Sequence, residues 1–176
     1  MTGCQADYSD VWHSGDGKTL MNETPVREVM IYRHECEHPA RVYHQLSVQG
    51  ATAIQFVPHL QPADARLWGD FLCAVFAIWV KEDVNRVMVS LFEATLHAWR
   101  GEAVRYDDTP PGPTCAGCIW LKLCGGGCPQ LRLEDGTSAL CEGYRQFYSW
   151  SAPYMRVMRD LIKQHRSPME LMAMLR

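Results

Sequence analysis

Apolar residues recur along the chain with two different periods, and each period predicts a kind of element. Val26 to Tyr32 (Val-Arg-Glu-Val-Met-Ile-Tyr) is rich in β-formers and predicts a short strand. From Pro39 to Gly50, Val42 and Leu46 line one face with Tyr43 beside them. This predicts a helix opened by Pro39 and stopped by Gly50. The β-branched, apolar run Thr52 to Val57, ended by Pro58, predicts a buried strand. Helix, glycine, strand is one unit of a βα architecture.

Gln61 to Val84 predicts the longest helix, with Pro62 suited to its first turn and Asp64 close behind. Trp68, Leu72, Val75 and Trp79 recur at helical spacing, and Leu67, Phe71 and Ile78 add a second apolar face. Such a helix is buried on two sides. Cys73 lies within the run and reads as core. Arg86 to Ser90 predicts a strand, and Leu91 to Arg100 a helix carrying Phe92, Leu96 and Trp99. Gly101 to Thr114 is a linker rich in proline and acid. Tyr154 to His165 predicts a helix with Tyr154, Met158, Leu161 and Ile162 inward. Ser167-Pro168 then caps a last short helix bearing Met169, Met172 and Leu175, a methionine-rich tail that reads as packing.

Composition narrows the class. A chain of 176 residues is one domain, or one domain with a small cysteine-rich module, and 47% hydrophobic with 21% charged residues is globular. A net charge of −3 gives no general reason to expect nucleic acid. The start, Met1-Thr-Gly-Cys-Gln-Ala-Asp, has no basic or apolar leader pattern. The strongest apolar run, Phe71 to Val80, is too short for a membrane span, so no membrane partner is expected. The cysteine usage fits a reducing cytoplasm, which is the expected location. Residues 1–35 are polar, with a turn signal at Gly15-Asp16-Gly17. His34, His38, His44 and His59 are scattered and read as solvated or core side chains, and Cys4 and Cys36 as packed or surface thiols.

The densest chemistry lies at 114–144. Cys115, Cys118, Cys124 and Cys128 follow C-x2-C-x5-C-x3-C, with Cys141 after a gap, so five of the eight cysteines fall here. Thiolates at such spacing reach one metal ion or one iron–sulfur cluster. The triple glycine Gly125-Gly126-Gly127 permits close backbone approach to a bulky ligand, and Pro129 stiffens the exit. Five is an odd number for disulfides. Spacing alone leaves zinc and cluster open.

The wording around these cysteines resembles a known family. The C-x2-C-x5-C-x3-C run with its distant cysteine is similar to the C-terminal half of the SPASM motif of radical S-adenosylmethionine enzymes. Gly126-Gly-Cys128-Pro129, Leu140-Cys141-Glu-Gly-Tyr144, Ile54-Gln-Phe-Val-Pro58 and Trp68-Gly-Asp-Phe71 resemble the anaerobic sulfatase-maturating enzymes. So do Trp79-Val80 and Asp83-Val84, and the likeness covers about residues 39–175.

The resemblance implies an architecture and a site. The fold class expected is α+β and helix-rich: a partial βα-barrel remnant, then a SPASM-like cysteine-rich module with C-terminal helices. The expected divisions are a divergent segment 1–38, a barrel-like region 39–100, a linker 101–114 and a cluster module 115–176. In relatives, the positions of Cys115, Cys118, Cys124 and Cys141 hold one auxiliary [4Fe–4S] cluster, and that of Cys128 belongs to another. Cys128 is then left outside the four-thiolate site, as a competing ligand or a free thiol.

The resemblance also implies losses. The family's C-x3-C-x2-C loop, its Gly-Gly-Glu motif and its Cys-Asp pair, proposed to supply the catalytic base, are absent here. No S-adenosylmethionine and no catalytic residue are therefore expected. The expectation is an iron–sulfur protein without radical activity, accessory to sulfatase maturation or to electron transfer. A sulfatase or an intact maturase would be its partner. A barrel fragment would leave the long helix and the strand Thr52–Val57 with uncovered apolar faces, so self-association or a protein partner is expected. The alternative is a zinc-stabilised interaction module, with DNA binding as a subtype. The tail's Arg145, Arg156, Arg159, Lys163, Arg166 and Arg176 read as a solvated helix face, without aromatic–basic interleaving.

Overall fold

The computed structural model describes residues 25–102 and 110–176. Cys4 and the turn expected at residues 15–17 lie outside the described residues. The first half alternates strand and helix: β1 (Arg27–Ile31), α1 (Arg33–Cys36), α2 (Pro39–Val48), β2 (Ala53–Pro58), α3 (Ala65–Glu82), β3 (Met88–Val89) and α4 (Ser90–Trp99). The strands form one parallel sheet in the order β1-β2-β3, with Arg27 opposite Ile54 and Ile54 opposite Val89. Parallel neighbours require crossovers, which α2 and α3 supply. The second half holds α5 (Leu121–Cys124), α6 (Cys141–Lys163) and α7 (Glu170–Met174), so the protein is a helix-rich α+β fold with a small parallel sheet.

The elements begin and end where local chemistry dictates. Pro39 opens α2, whose chain then turns through Gly50 at φ +73° before β2. A 3-10 turn at Pro62–Asp64 precedes α3, so the helix proper starts three residues later than Pro62. At its far end, buried Asp83 accepts a hydrogen bond from the Tyr43 hydroxyl at 2.8 Å, and the Trp79 indole N–H donates to the Val87 carbonyl at 2.7 Å. The strand expected at Arg86–Ser90 shrinks to Met88–Val89 because α4 already begins at Ser90. The Ser90 hydroxyl donates to the Ile54 carbonyl, tying α4 to the central strand.

Two expectations about helices are corrected. Among the described residues the longest helix is α6, with 23 residues against 18 in α3. It also starts at Cys141 and not at Tyr154, running straight through Pro153. Proline ordinarily stops a helix, because it removes one N–H and crowds the preceding turn. Here Ser149, Trp150 and Pro153 all lie on the exposed side, where water can take the freed carbonyl.

The faces of α3 are likewise not left bare. Trp68, Phe71, Leu72, Val75, Phe76 and Trp79 are at most 1% exposed, and α6, α2 and α7 all pack against α3. Phe76, Phe92 and Phe147 form an aromatic knot joining α3, α4 and α6, with centroids 5.1 to 5.7 Å apart. The α3–α6 contact is close because two glycines, Gly69 and Gly143, meet there. Apolar exposure remains on β1 and at its two ends, where Met30, Val26 and Tyr32 are about 40% exposed. Among the described residues, no helix is long and apolar enough to cross a membrane.

Candidate metal centre

The cysteine loop is built from tight turns. A 3-10 turn at Pro113–Cys115 delivers Cys115, and the Cys118 N–H returns to the Cys115 carbonyl at 3.0 Å. One helical turn, α5, then carries Cys124. Gly125 ends it in the left-handed region at φ +55°, and its N–H bonds the Leu121 carbonyl at 2.8 Å. Gly126 and Gly127 continue with positive φ. A side chain at either would collide: an added Cβ on Gly126 would stand 2.5 Å from Pro111 Cβ, and one on Gly127 would stand 2.9 Å from Ser138 Cβ. A hairpin then reverses the chain, with the Leu133 N–H on the Thr137 carbonyl and the Ala139 N–H on the Leu131 carbonyl. It hands over to α6, whose first residue is Cys141.

These turns bring four cysteines to one pocket. Cys115, Cys118 and Cys124 line it from the loop, and Cys141 from the start of α6. Trp120, Leu121, Tyr144 and Tyr148 make its apolar wall. That wall is anchored in the core, since Tyr144 packs edge-on against Trp68 of α3 and Trp120 lies 6.2 Å from Tyr148. Gly126, Gly127 and Ser138 form the backbone side, and Arg145 the cationic side.

Electrostatics makes the pocket costly for bare thiolates. Burial pushes the Cys124 thiol above its usual range, and Cys118, Cys141 and Cys115 push it further; the Gly126 N–H, donating to Cys124 Sγ at 3.4 Å, acts the other way. Burial also raises Cys141, with Arg145 opposing it. Crowded thiolates repel one another unless a cation sits among them. The donor set, the glycine side and the N–H on sulfur thus suit a thiolate-bound metal centre. Among the described residues, no three His, Cys, Asp or Glu side chains close around a single ion.

The other candidates stand apart. Cys128, expected as a competing ligand or a free thiol, is neither: it does not line the pocket, and its sulfur is disulfide-bonded. Cys36 is buried on α1 and Cys73 half-buried on α3, each thiol pushed up to about 11 by burial. His34, His38, His44 and His59 are exposed. Trp120, Ser138 and Tyr148 had no sequence signal as pocket residues, because they come together only through the hairpin and α6.

Comparison with known proteins gives the same lineage. No family model matches the chain. A serine-type anaerobic sulfatase-maturating enzyme of Bacteroides thetaiotaomicron is 25% identical over 172 residues, covering 62% of this chain and 41% of that protein. The solved structure of native anSMEcpe with bound AdoMet superposes with a TM-score of 0.63 at 15% identity, covering 77% of this chain and 57% of that one. A second form of native anSMEcpe, with bound AdoMet and the Kp18Cys peptide, gives 0.61 at 16% identity, covering 76% and 57%. The protein is therefore a partial relative of the anaerobic sulfatase-maturating enzymes, and spans about half the length of those it matches. It is also 47% identical over 148 residues to the uncharacterized protein YidF of Escherichia coli K12, covering 78% of this chain and 85% of YidF. The chain belongs to the YidF family.

Proposed function

We propose that this chain is an iron–sulfur-binding protein that holds one centre on Cys115, Cys118, Cys124 and Cys141. The observation that carries the reading is convergence: four cysteines from two stretches of chain line one pocket, and Cys128 does not. A [4Fe–4S] cluster takes one thiolate per iron, so it asks for four sulfurs spread around a space. A zinc ion asks for four sulfurs gathered within about 2.3 Å of one point. Among the described residues no three His, Cys, Asp or Glu side chains gather around a single point, while four cysteines line one pocket, which supports the cluster over zinc.

When bound, such a cluster supplies one-electron transfer and a rigid link between the loop and α6. The chain's own residues do the rest. Trp120, Leu121, Tyr144 and Tyr148 keep water from the sulfurs, Arg145 offsets negative charge, and the Gly126 N–H bonds Cys124. In this reading residues 115–176 form a SPASM-like module, and 39–100 correspond to part of a βα barrel.

The sequence given contains no C-x3-C-x2-C loop and no Cys-Asp pair, which supports a role without S-adenosylmethionine cleavage. The role proposed is accessory: electron transfer, or docking to a sulfatase or an intact maturase. Self-association would use the exposed side of β1, since α3 is covered from within. Reconstituted protein incubated anaerobically with S-adenosylmethionine and a strong reductant should release no 5′-deoxyadenosine. Its formation would overturn the accessory role. One zinc per chain without sulfide would replace the cluster with a zinc-stabilised interaction module.

A further inference from the structure

We infer that Arg132 is a positioning residue for the Cys124 sulfur: its guanidinium fixes the glycine loop whose Gly126 N–H donates to that sulfur. Its Nε donates to the Gly126 carbonyl at 3.3 Å, its Nη2 to the Gly127 carbonyl at 3.1 Å and its Nη1 to the Pro110 carbonyl at 3.0 Å. The geometry stands by itself, and its consequence for the sulfur rests on the metal reading above.

The loop needs an external brace. Three consecutive glycines have the freest backbone a chain can offer. Contact with Pro111 and Ser138 forbids side chains at Gly126 and Gly127, so the loop cannot stiffen itself by substitution. The two peptide groups that follow Gly126 Cα are the ones Arg132 holds. With those fixed, the N–H on the other side of the same Cα is aimed at Cys124 Sγ. A guanidinium is a planar fork that can serve several carbonyls at once, whereas an ammonium is a compact point charge on a flexible stem.

Arg132 also links the two halves of the site. It pairs with Ser138 across the base of the hairpin, and the Ser138 carbonyl accepts the Cys141 N–H at 3.0 Å. The Arg132 side chain therefore ties the Cys124 loop to the linker exit at Pro110, while its backbone pairs with the segment that leads to Cys141. No spacing rule would find it, because the loop groups it holds are main-chain carbonyls.

The test compares full-length wild type with Arg132→Gln, Arg132→Lys and the control Lys122→Gln, all purified without oxygen. Lys122 is exposed in the same motif, so its variant removes a nearby charge without touching the loop carbonyls. Two readouts are taken: amide hydrogen exchange over residues 124–128 in metal-free protein, and metal loss to an iron chelator followed by the visible spectrum. Both Arg132 variants should exchange faster at 126–127, lose metal about tenfold faster and show a shifted band, the scale typical of a lost outer-shell partner. Helical circular dichroism should be unchanged, and Lys122→Gln should match wild type. If Arg132→Gln fails to fold, Arg132→Lys carries the test, since it keeps the charge. Wild-type exchange and retention in the Arg132 variants would overturn the inference. Full retention in Arg132→Lys alone would assign the effect to charge, and overturn the positioning role. A wild type that binds neither iron nor zinc would overturn the metal reading and the claim about the sulfur, whatever the exchange shows.

Discussion

Gly69 of α3 and Gly143 of α6 face each other so closely that a Cβ on Gly143 would stand 2.8 Å from the Gly69 nitrogen and 2.1 Å from the Ala65 carbonyl oxygen. Both neighbours are backbone, so neither can swing aside. The crossing lies two residues after Cys141, and it sets where α6 enters the pocket. Gly143→Ala should therefore destabilise the fold by about 1–3 kcal/mol, the usual cost of overpacking. Thermal unfolding should show a lower midpoint, and metal retention should fall with it. An unchanged midpoint would mean that the helices separate without cost.

The cysteines divide into two groups with different expected phenotypes. Cys115→Ser, Cys118→Ser, Cys124→Ser and Cys141→Ser should each lose most bound metal, because each removes one of four thiolates from the pocket. Cys128→Ser should keep it, since Cys128 does not line the pocket. Metal content per chain after anaerobic purification measures this directly. A Cys128→Ser protein as depleted as Cys124→Ser would assign Cys128 to the centre.

Metal uptake should depend on pH. A thiol must lose its proton to bind metal, and burial raises Cys124 and Cys141, so fewer thiolates are ready at neutral pH than on exposed cysteines. Uptake by metal-free protein should accelerate between pH 7 and 9. Stopped-flow absorbance would follow it, and a flat profile would contradict the burial argument.

Glu93 on α4 supplies a second pH test, at a residue that does not line the cysteine pocket. Burial alone pushes its carboxyl up to about 7. The folded state then holds a proton that the unfolded chain has already released, so stability falls as pH rises from the ordinary glutamate range to about 7. Glu93→Gln should flatten that slope and be more stable at pH 8 by roughly 1–3 kcal/mol. Urea titrations at pH 5 and pH 8 measure it, and parallel behaviour of the two proteins would contradict the burial of this carboxylate.

The first half of the fold was legible because its periods are clean. β1, α2, β2, α3 and α4 lie close to where alternation, proline and glycine placed them. The start of α6 was hidden by Pro153, which reads locally as a barrier and is tolerated on an exposed face. The cover on α3 was hidden too, because it depends on Gly69 meeting Gly143, a contact between residues far apart in sequence. In the site, the spacing and the family likeness together pointed to four cysteines and left Cys128 as a competing ligand or a free thiol, because a bond to a distant sulfur has no local signal. Spacing could not supply Trp120, Tyr148 or Arg132, whose places depend on where the hairpin and α6 bring the chain back.

The central claim is best tested by iron, zinc and acid-labile sulfide analysis of wild-type protein purified without oxygen. The account predicts about four iron and four sulfide per chain with a broad visible absorption band, lost in Cys124→Ser. One zinc and no sulfide, or neither metal, would contradict it.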